Sequence, residues 1–320
     1  MLRHAIVAGY ASIAFLAFAT TASEAQTRTL RTIVASGAGG TTDTLARVTA
    51  AQIERTRKVT TMVENRPGAG SIIGTEAVAR MAGDGDTLLI TASGFLINPI
   101  LRKVNYDPLG DFTPICHLVS APAIVAVSAA SPYKTLEDLI KAAKSEPGKL
   151  TLGTPGPGSS HHILFEGIKQ KAAIDMIYVA FRGTSKAVAA MLGDHLTAVL
   201  SDYGSLAAPL QSGQIRALAV SSPERMEAMP DVPTLEESGI EGLNIQSWFG
   251  IVAPAKLGPG VADELIGWYR AAMADQEATA KLATLQLTPK PICGADFGKF
   301  LKDAAATFGE IIQSADIKVK

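Results

Sequence analysis

The chain is 320 residues long, 47% hydrophobic and 18% charged, with a formal net charge of −1 at pH 7. That balance supplies core for one large or two medium domains and excludes a disordered chain. With no basic excess and no Lys/Arg block, it also excludes the electrostatic footprint of a nucleic-acid or anionic-membrane binder, so charge selectivity must be local to a site.

Residues 1–25 read as a secretory signal. Arg3 and His4 form a short basic start, Ala5 to Ala19 is nearly all apolar or small, and Ser23-Glu24-Ala25 puts small residues where a signal peptidase reads. The apolar run is short for a membrane span; an uncleaved N-terminal anchor is the alternative. The expectation is an exported, periplasmic protein cleaved near Ala25.

Leu30–Ala35 reads as a strand and Leu45, Val48 and Ile53 as one face of a helix. Between them lies Ser36-Gly37-Ala38-Gly39-Gly40-Thr41-Thr42-Asp43. Glycines at a strand-to-helix turn leave backbone N–H groups bare, and the positive end of the helix dipole stands behind them, so the turn favours an anion. Asp43 is either a helix N-cap or a ligand contact. Val59–Glu64, a helix over Ile72–Ala82, and Thr87–Ala92 continue a series of parallel βα units. Thr91-Ala92-Ser93-Gly94 is a second small polar loop at a strand end.

Ile115–Ser128 is a long β-prone run interrupted by Pro122, where the chain passes from one lobe to another. A capping pair, Thr135 and Asp138, opens a helix through Leu136, Leu139, Ile140 and Ala143. Strand Leu150–Thr154 leads into the loop from Pro155 through Gly158, Ser159, Ser160 and His161 to His162, then a helix to Lys171. Strand Met176–Ala180 leads into Phe181, Arg182, Gly183, Thr184 and Ser185, then a helix over Lys186–Leu192. Leu196–Ser201, ending on Asp202, and Ile215–Val220 complete this second series. Ser221–Asn244 is an irregular connection, Ile245–Val252 a returning strand, and helices start near Val261 and span Asp296–Ala315.

In open α/β sheets, ligands bind beyond the carboxyl ends of the strands, where such loops meet. Arg182 could clamp a carboxylate or be a solvated surface residue; Asp202 could hold an ammonium or organise its turn. Nucleotide loops are excluded, because no Gly-Lys-Ser/Thr and no helix-opening G-x-G-x-x-G occurs. Serine catalysis is excluded too: there is no G-x-S-x-G, and Ser131-Pro132-Tyr133-Lys134 lacks the companions of an S-x-x-K site. Adjacent His161 and His162 point apart on a helix, so a shared metal is not expected, and one should face the cleft and the other solvent or core. Cys116 and Cys293 are read as two separate buried thiols in preference to a disulfide.

The chain resembles the solute-binding receptors of tripartite tricarboxylate transporters, the Bug family. The resemblance rests first on Val63-Glu64-Asn65-Arg66-Pro67-Gly68-Ala69-Gly70, continuing through Gly74-Thr75-Glu76-Ala77-Val78-Ala79-Arg80. Asn98-Pro99, Asn105-Tyr106-Asp107-Pro108, Pro230-Asp231-Val232-Pro233-Thr234 and Ser247-Trp248-Phe249-Gly250 support it, in order from about Leu30 to the C-terminus. It implies an α/β, two-lobe type II periplasmic-binding fold, each lobe a mostly parallel sheet flanked by helices. The lobes would be residues 26–124 with 250–320, and 125–249. It implies no catalysis and no cofactor, but a small organic carboxylate held by Gly39, Gly40, Thr41, Asp43, Ser93, Gly158, Ser159, Ser160, His161, Gly183, Thr184, Ser185 and Asp202, with Arg182 beside them. The partners implied are that ligand and the membrane permease subunits, with a monomeric receptor. An exported hydrolase or a sensor subunit on the same fold are the alternatives. The chain departs from the family at Ala35-Ser36-Gly37-Ala38 and at Ala180-Phe181-Arg182, where prolines and a tyrosine are usual, and this bears on which carboxylate is bound.

Overall fold

The structure, a computed structural model, describes residues 28–318 other than 157, 182, 244, 284–286 and 288. The segment read as a signal lies outside the described residues.

The chain begins with β1 (Thr29–Val34), α1 (Thr41–Arg57), β2 (Thr60–Asn65), a 3-10 turn at Ala69–Ser71, α2 (Ile72–Ala79), β3 (Thr87–Ala92) and α3 (Gly94–Leu101). Two consecutive strands follow, β4 (Phe112–Ala121) and β5 (Ala123–Ser128). Then come α4 (Leu136–Ser145), β6 (Thr151–Thr154), α5 (Ser160–Ala172), β7 (Ile177–Ala180), α6 (Thr184–Leu192), β8 (Ala198–Asp202), α7 (Tyr203–Gln211) and β9 (Ile215–Val220). The chain returns through β10 (Ser247–Pro254) and ends with α8 (Val261–Ala274), α9 (Gln276–Ala283), β11 (Pro289–Cys293) and α10 (Ala295–Ser314).

These strands form two sheets, ordered β11-β4-β10-β3-β1-β2 and β7-β6-β8-β5-β9. The two-lobe α/β architecture holds, but each sheet is mixed. Strand β1 is parallel to β2 and β3, and β6 is parallel to β7 and β8, as helical crossovers require. Strands that carry the chain between sheets run against these neighbours: β10 is antiparallel to β3 and β4, and β5 to β8 and β9. Pro122 divides the run read as one strand, and its carbonyl accepts from the Tyr203 N–H at 3.2 Å.

Burial explains the helix faces. Leu45 and Ile53 of α1 pack with Leu265, Trp268 and Tyr269 of α8 over one face of the first sheet. The other face carries Phe95, Trp248 and Phe297, and this core runs on into the second lobe through Leu164, Phe165, Phe308 and Ile311. Helix α10 thereby ties the lobes: a Cβ added at Gly167 of α5 would lie 3.6 Å from Ile311, and Gln170 bonds to Ser314 at 3.0 Å. Helices α3 and α7 are absent from the sequence reading because Pro99 and Pro209 interrupt their patterns.

The cysteines are a correction. Cys116 and Cys293 form a disulfide, with Cα atoms 4.0 Å apart, and the described residues hold no free thiol. The two are 177 positions apart in sequence, but β11 pairs with β4 at the sheet edge and sets Cys293 opposite Cys116. Spacing alone carries no trace of that pairing. The link closes a long loop, so replacing both cysteines by serine should cost about 2–4 kcal/mol in urea unfolding. Titration of the native protein should find no reactive thiol; a serine pair as stable as the parent would contradict the assigned role.

Candidate functional site

In the first sheet β1 and β3 are parallel, so Ala35 and Ser93 emerge from the same edge, beside the start of β10, where Phe249 is opposite Ala92. In the second sheet β6, β7 and β8 are parallel, and Thr154, Ala180 and Asp202 share one edge with Ala123. Both edges meet at Pro122, since Ala121 pairs with Ser247 and Ala123 with Asp202. The loops singled out in the sequence therefore converge on one junction.

The β1–α1 turn is held open from within. Gly39 has φ +84°, a conformation L side chains rarely adopt, and a Cβ there would meet nothing within 4 Å. Gly40 is the N-cap of α1, and no side chain caps the helix. The first-turn N–H groups have no partner within the helix by geometry. Asp43 lies inside α1 rather than at its N-cap, and is 4% exposed. Its carboxylate accepts from the Gly39 N–H (2.9 Å), Arg47 Nε (3.0 Å) and Asn65 Nδ2 (2.9 Å). The Arg47 hydrogen bond, working against burial, draws the Asp43 carboxyl down to about 2. Asp43 is thus a brace, its oxygens engaged by the turn itself.

The signature around Asn65 now has a mechanical meaning, which the sequence reading missed. Asn65 Nδ2 also reaches the Ser36 carbonyl at 3.3 Å, and Asn98 Nδ2 donates to the Gly70 carbonyl at 2.8 Å. A Cβ at Gly74 would lie 2.7 Å from the Arg66 carbonyl oxygen and 2.8 Å from the Ala35 Cβ, so only glycine lets α2 approach β1. Ser93, 4% exposed, accepts from the Trp248 N–H at 3.4 Å.

In the second lobe Ser159 is the N-cap of α5, accepting from the His162 N–H at 3.3 Å and donating to the Gly156 carbonyl at 2.8 Å. Ser160 Oγ meets Ser247 Oγ at 3.1 Å, which joins the lobes directly. His161 Nε2 lies 2.9 Å from Asp202 Oδ1, and its Nδ1 is buried without a partner. His162 Nδ1 accepts from the Gly158 N–H at 3.1 Å while its ring stacks on Tyr178 at 3.8 Å. Both histidines are buried, so neither faces solvent, and among the described residues no cluster could hold a metal ion. Gly183, φ +102°, opens α6 without a side-chain cap; Thr184 Oγ1 bonds Ser201 Oγ at 2.6 Å and Ser185 is exposed. Asp202 stands at the N-cap of α7, but no side-chain cap forms there. Arg182 lies outside the described residues.

Acid should dismantle this junction in two stages. Burial pushes His162 down to about 4, and His117 likewise. Both are neutral when folded, so stability present above pH 6.5 falls as pH drops toward 4, by about 1.4 kcal/mol per pH unit for each histidine. Asp43 then adds a loss between about pH 4 and 2, since its carboxylate is charged in the folded state. Urea unfolding at pH 7, 5 and 3 measures both stages. His162→Gln should roughly halve the slope of the first, leaving the His117 part, and Asp43→Asn should flatten the second; parallel curves for either variant and the parent would refute the assignment.

The chain matches the family model for the tripartite tricarboxylate transporter family receptor, TctC, over residues 45–317. A Cupriavidus necator protein, the UPF0065 protein in the gbd 5' region, is 31% identical over 286 residues, spanning 89% of this chain and 87% of that one. Bordetella pertussis BugT is 27% identical over 321 residues, 99% and 98% of the two chains. Among solved structures, the periplasmic binding protein BugD aligns with a TM-score of 0.77 at 27% identity, covering 92% of this chain and 99% of its own. R. palustris Rpa4515, solved with adipate, aligns with a TM-score of 0.81 at 26% identity, covering 92% and 99%. This chain belongs to the tripartite tricarboxylate transporter family of receptors, a solute-binding family and not a family of enzymes.

Proposed function

We propose that the protein is a periplasmic receptor that captures a small organic carboxylate between its lobes and delivers it to a membrane transporter. One observation carries this reading: α1, α6 and α7 begin at the same junction with no side-chain cap, the Tyr203 N–H of α7 alone being taken by the Pro122 carbonyl. Free first-turn amides at a helix N-terminus are an anion site. Two of the three starts are glycines, which let a ligand approach the backbone itself. The neighbouring carboxylates are engaged, Asp43 by the Arg47 guanidinium and Asp202 by a hydrogen bond with His161. Rpa4515, a structural relative solved with adipate, supports the ligand class. The signal-like segment before Gln26 supports export.

Magnitudes require cooperation. A helix N-terminus contributes about 0.3–1 kcal/mol toward an exposed anion, and each hydrogen bond to a charged group about 1.5–3 kcal/mol. Micromolar affinity needs about 8 kcal/mol. Several amides from both lobes must therefore act together with water excluded, so hinge closure over the ligand belongs to the mechanism. The binding set is Gly40, Thr41, Gly183, Thr184 and Ser185, positioned by Gly39, Asp43, Ser93, Gly158, Ser159, Ser160, His161 and Asp202.

Calorimetry against di- and tricarboxylates, acidic amino acids and aromatic acids tests this. The expected result is saturable binding of one acid per chain at micromolar Kd, with no chemical change to it. Gly39→Ala and Gly183→Ala, strained at positive φ, should each weaken binding about tenfold or more. Turnover of a bound acid, or no binding by any member of the panel, would overturn the reading.

A further inference from the structure

The two carboxylates at the junction are not alike. Asp43 is 4% exposed, both its oxygens are engaged, and one of its partners is the Arg47 guanidinium, so its charge is balanced within the turn. Asp202 has 23% of its side chain exposed, and its one partner among the described residues is the His161 ring, from Nε2 to Oδ1 at 2.9 Å. A carboxylate only accepts, so that nitrogen donates. No lysine or arginine among the described residues pairs with Asp202, and it does not cap α7, whose Tyr203 N–H goes to the Pro122 carbonyl. Its second oxygen, Oδ2, has no partner there. The polar side-chain atoms that are both unpaired and buried are Arg102 Nε, His117 Nδ1, His161 Nδ1 and Trp248 Nε1, so Oδ2 is one that water reaches. A free anionic oxygen beside an anion site repels a ligand that carries only negative charge.

Its placement is set by the strand. Successive residues of a strand point to opposite faces. Leu200 of β8 packs with Leu164 and Phe165 of α5, and Val199 with Ala187 and Val188 of α6. The alternation carries on to the strand end, where Ser201 bonds Thr184 of α6 at 2.6 Å and Asp202 takes His161 of α5. The end of β8 therefore stands between the uncapped start of α6 on one face and the Asp202 carboxylate on the other. Asp202 is opposite Ala123, next to the Pro122 crossing into the first lobe. A molecule lying across this edge meets N–H donors at one end and an anionic acceptor at the other.

We propose that the ligand of this receptor is an amino acid, its carboxylate on the main-chain amides and its ammonium on Asp202 Oδ2. An ammonium has three donors and no acceptor, which suits an unpaired carboxylate oxygen, and its charge offsets the one that would repel the ligand. Asp202 is then the residue that separates amino acids from acids of the same skeleton without nitrogen. A site built to bond a group rejects the analogue that lacks it, because its own polar atom is left desolvated and unpaired. This inference rests on the receptor reading above and narrows its ligand.

Calorimetry with matched pairs tests it: aspartate against succinate, glutamate against glutarate, and phenylalanine against 3-phenylpropionate. In the pair that holds the tightest ligand, the amino acid should bind the parent at least about tenfold more tightly than its nitrogen-free partner. Asp202→Asn keeps an oxygen for His161 but loses the charge. It should weaken the amino acid about tenfold and leave the partner unchanged or tighter, so that the preference collapses. A parent that binds the nitrogen-free acid as tightly as the amino acid overturns the inference and leaves the receptor reading standing. So does a folded Asp202→Asn protein that weakens both members alike, since that is a structural effect. Should the variant not fold, the ranking in the parent decides alone. Binding of other acids with none of the amino acids bound overturns the inference only. No binding by any acid of the wider panel overturns the receptor reading, and this inference with it.

Discussion

Backbone amides left open at a helix start are costly unless something holds the turn in shape, and the structure is organised around that constraint. At the β1–α1 turn the brace is Asp43. Its carboxylate is turned back onto the Gly39 N–H and secured by Asn65 and Arg47, so the turn is fixed without a side chain at the N-cap. In the second lobe Asp202 occupies an N-cap position but reaches His161 instead. Both carboxylates that could have closed a helix end are engaged elsewhere; at α7 the Tyr203 N–H goes to the Pro122 carbonyl, and α1 starts with no side-chain cap.

An open amide cluster is useful only if two halves can be brought together in register. Here the halves share the Pro122 crossing and the return at Ser247, and α10 packs against both lobes. The disulfide fixes edge strand β11 to β4, close to the start of α10, so the helix that spans the lobes is anchored at its first turn. The frame is cross-linked at that edge, and it has small residues at the strand-end turns.

Much of this was legible in the residues. The glycine turn at Gly37–Gly40, the crossing at Pro122 and the small polar loops at strand ends each follow from local chemistry, and the structure brings them to one edge. What escaped the reading is long-range. The Cys116–Cys293 pairing depends on which strand borders β4, and strand order is not written in spacing. Asn65 and Gly74 belonged to a recognisable signature, yet their work, bracing Ser36 and Asp43 and letting α2 close on Ala35, appears only once the turn is packed. Helices α3 and α7 were hidden because each contains a proline that a local rule reads as a break. The antiparallel strands of both sheets reflect the crossings, which no single segment reveals.

In the proposed receptor, main-chain N–H groups of facing helix starts, and not a basic side chain, hold the ligand. Amide-resolved NMR titration with the tightest-binding acid tests it most directly. The largest shifts are expected at Gly40–Thr42 and Gly183–Ser185, moving together at one affinity as amides from both lobes enter hydrogen bonds. Shifts confined to surface lysines and arginines, or to one lobe alone, would contradict it.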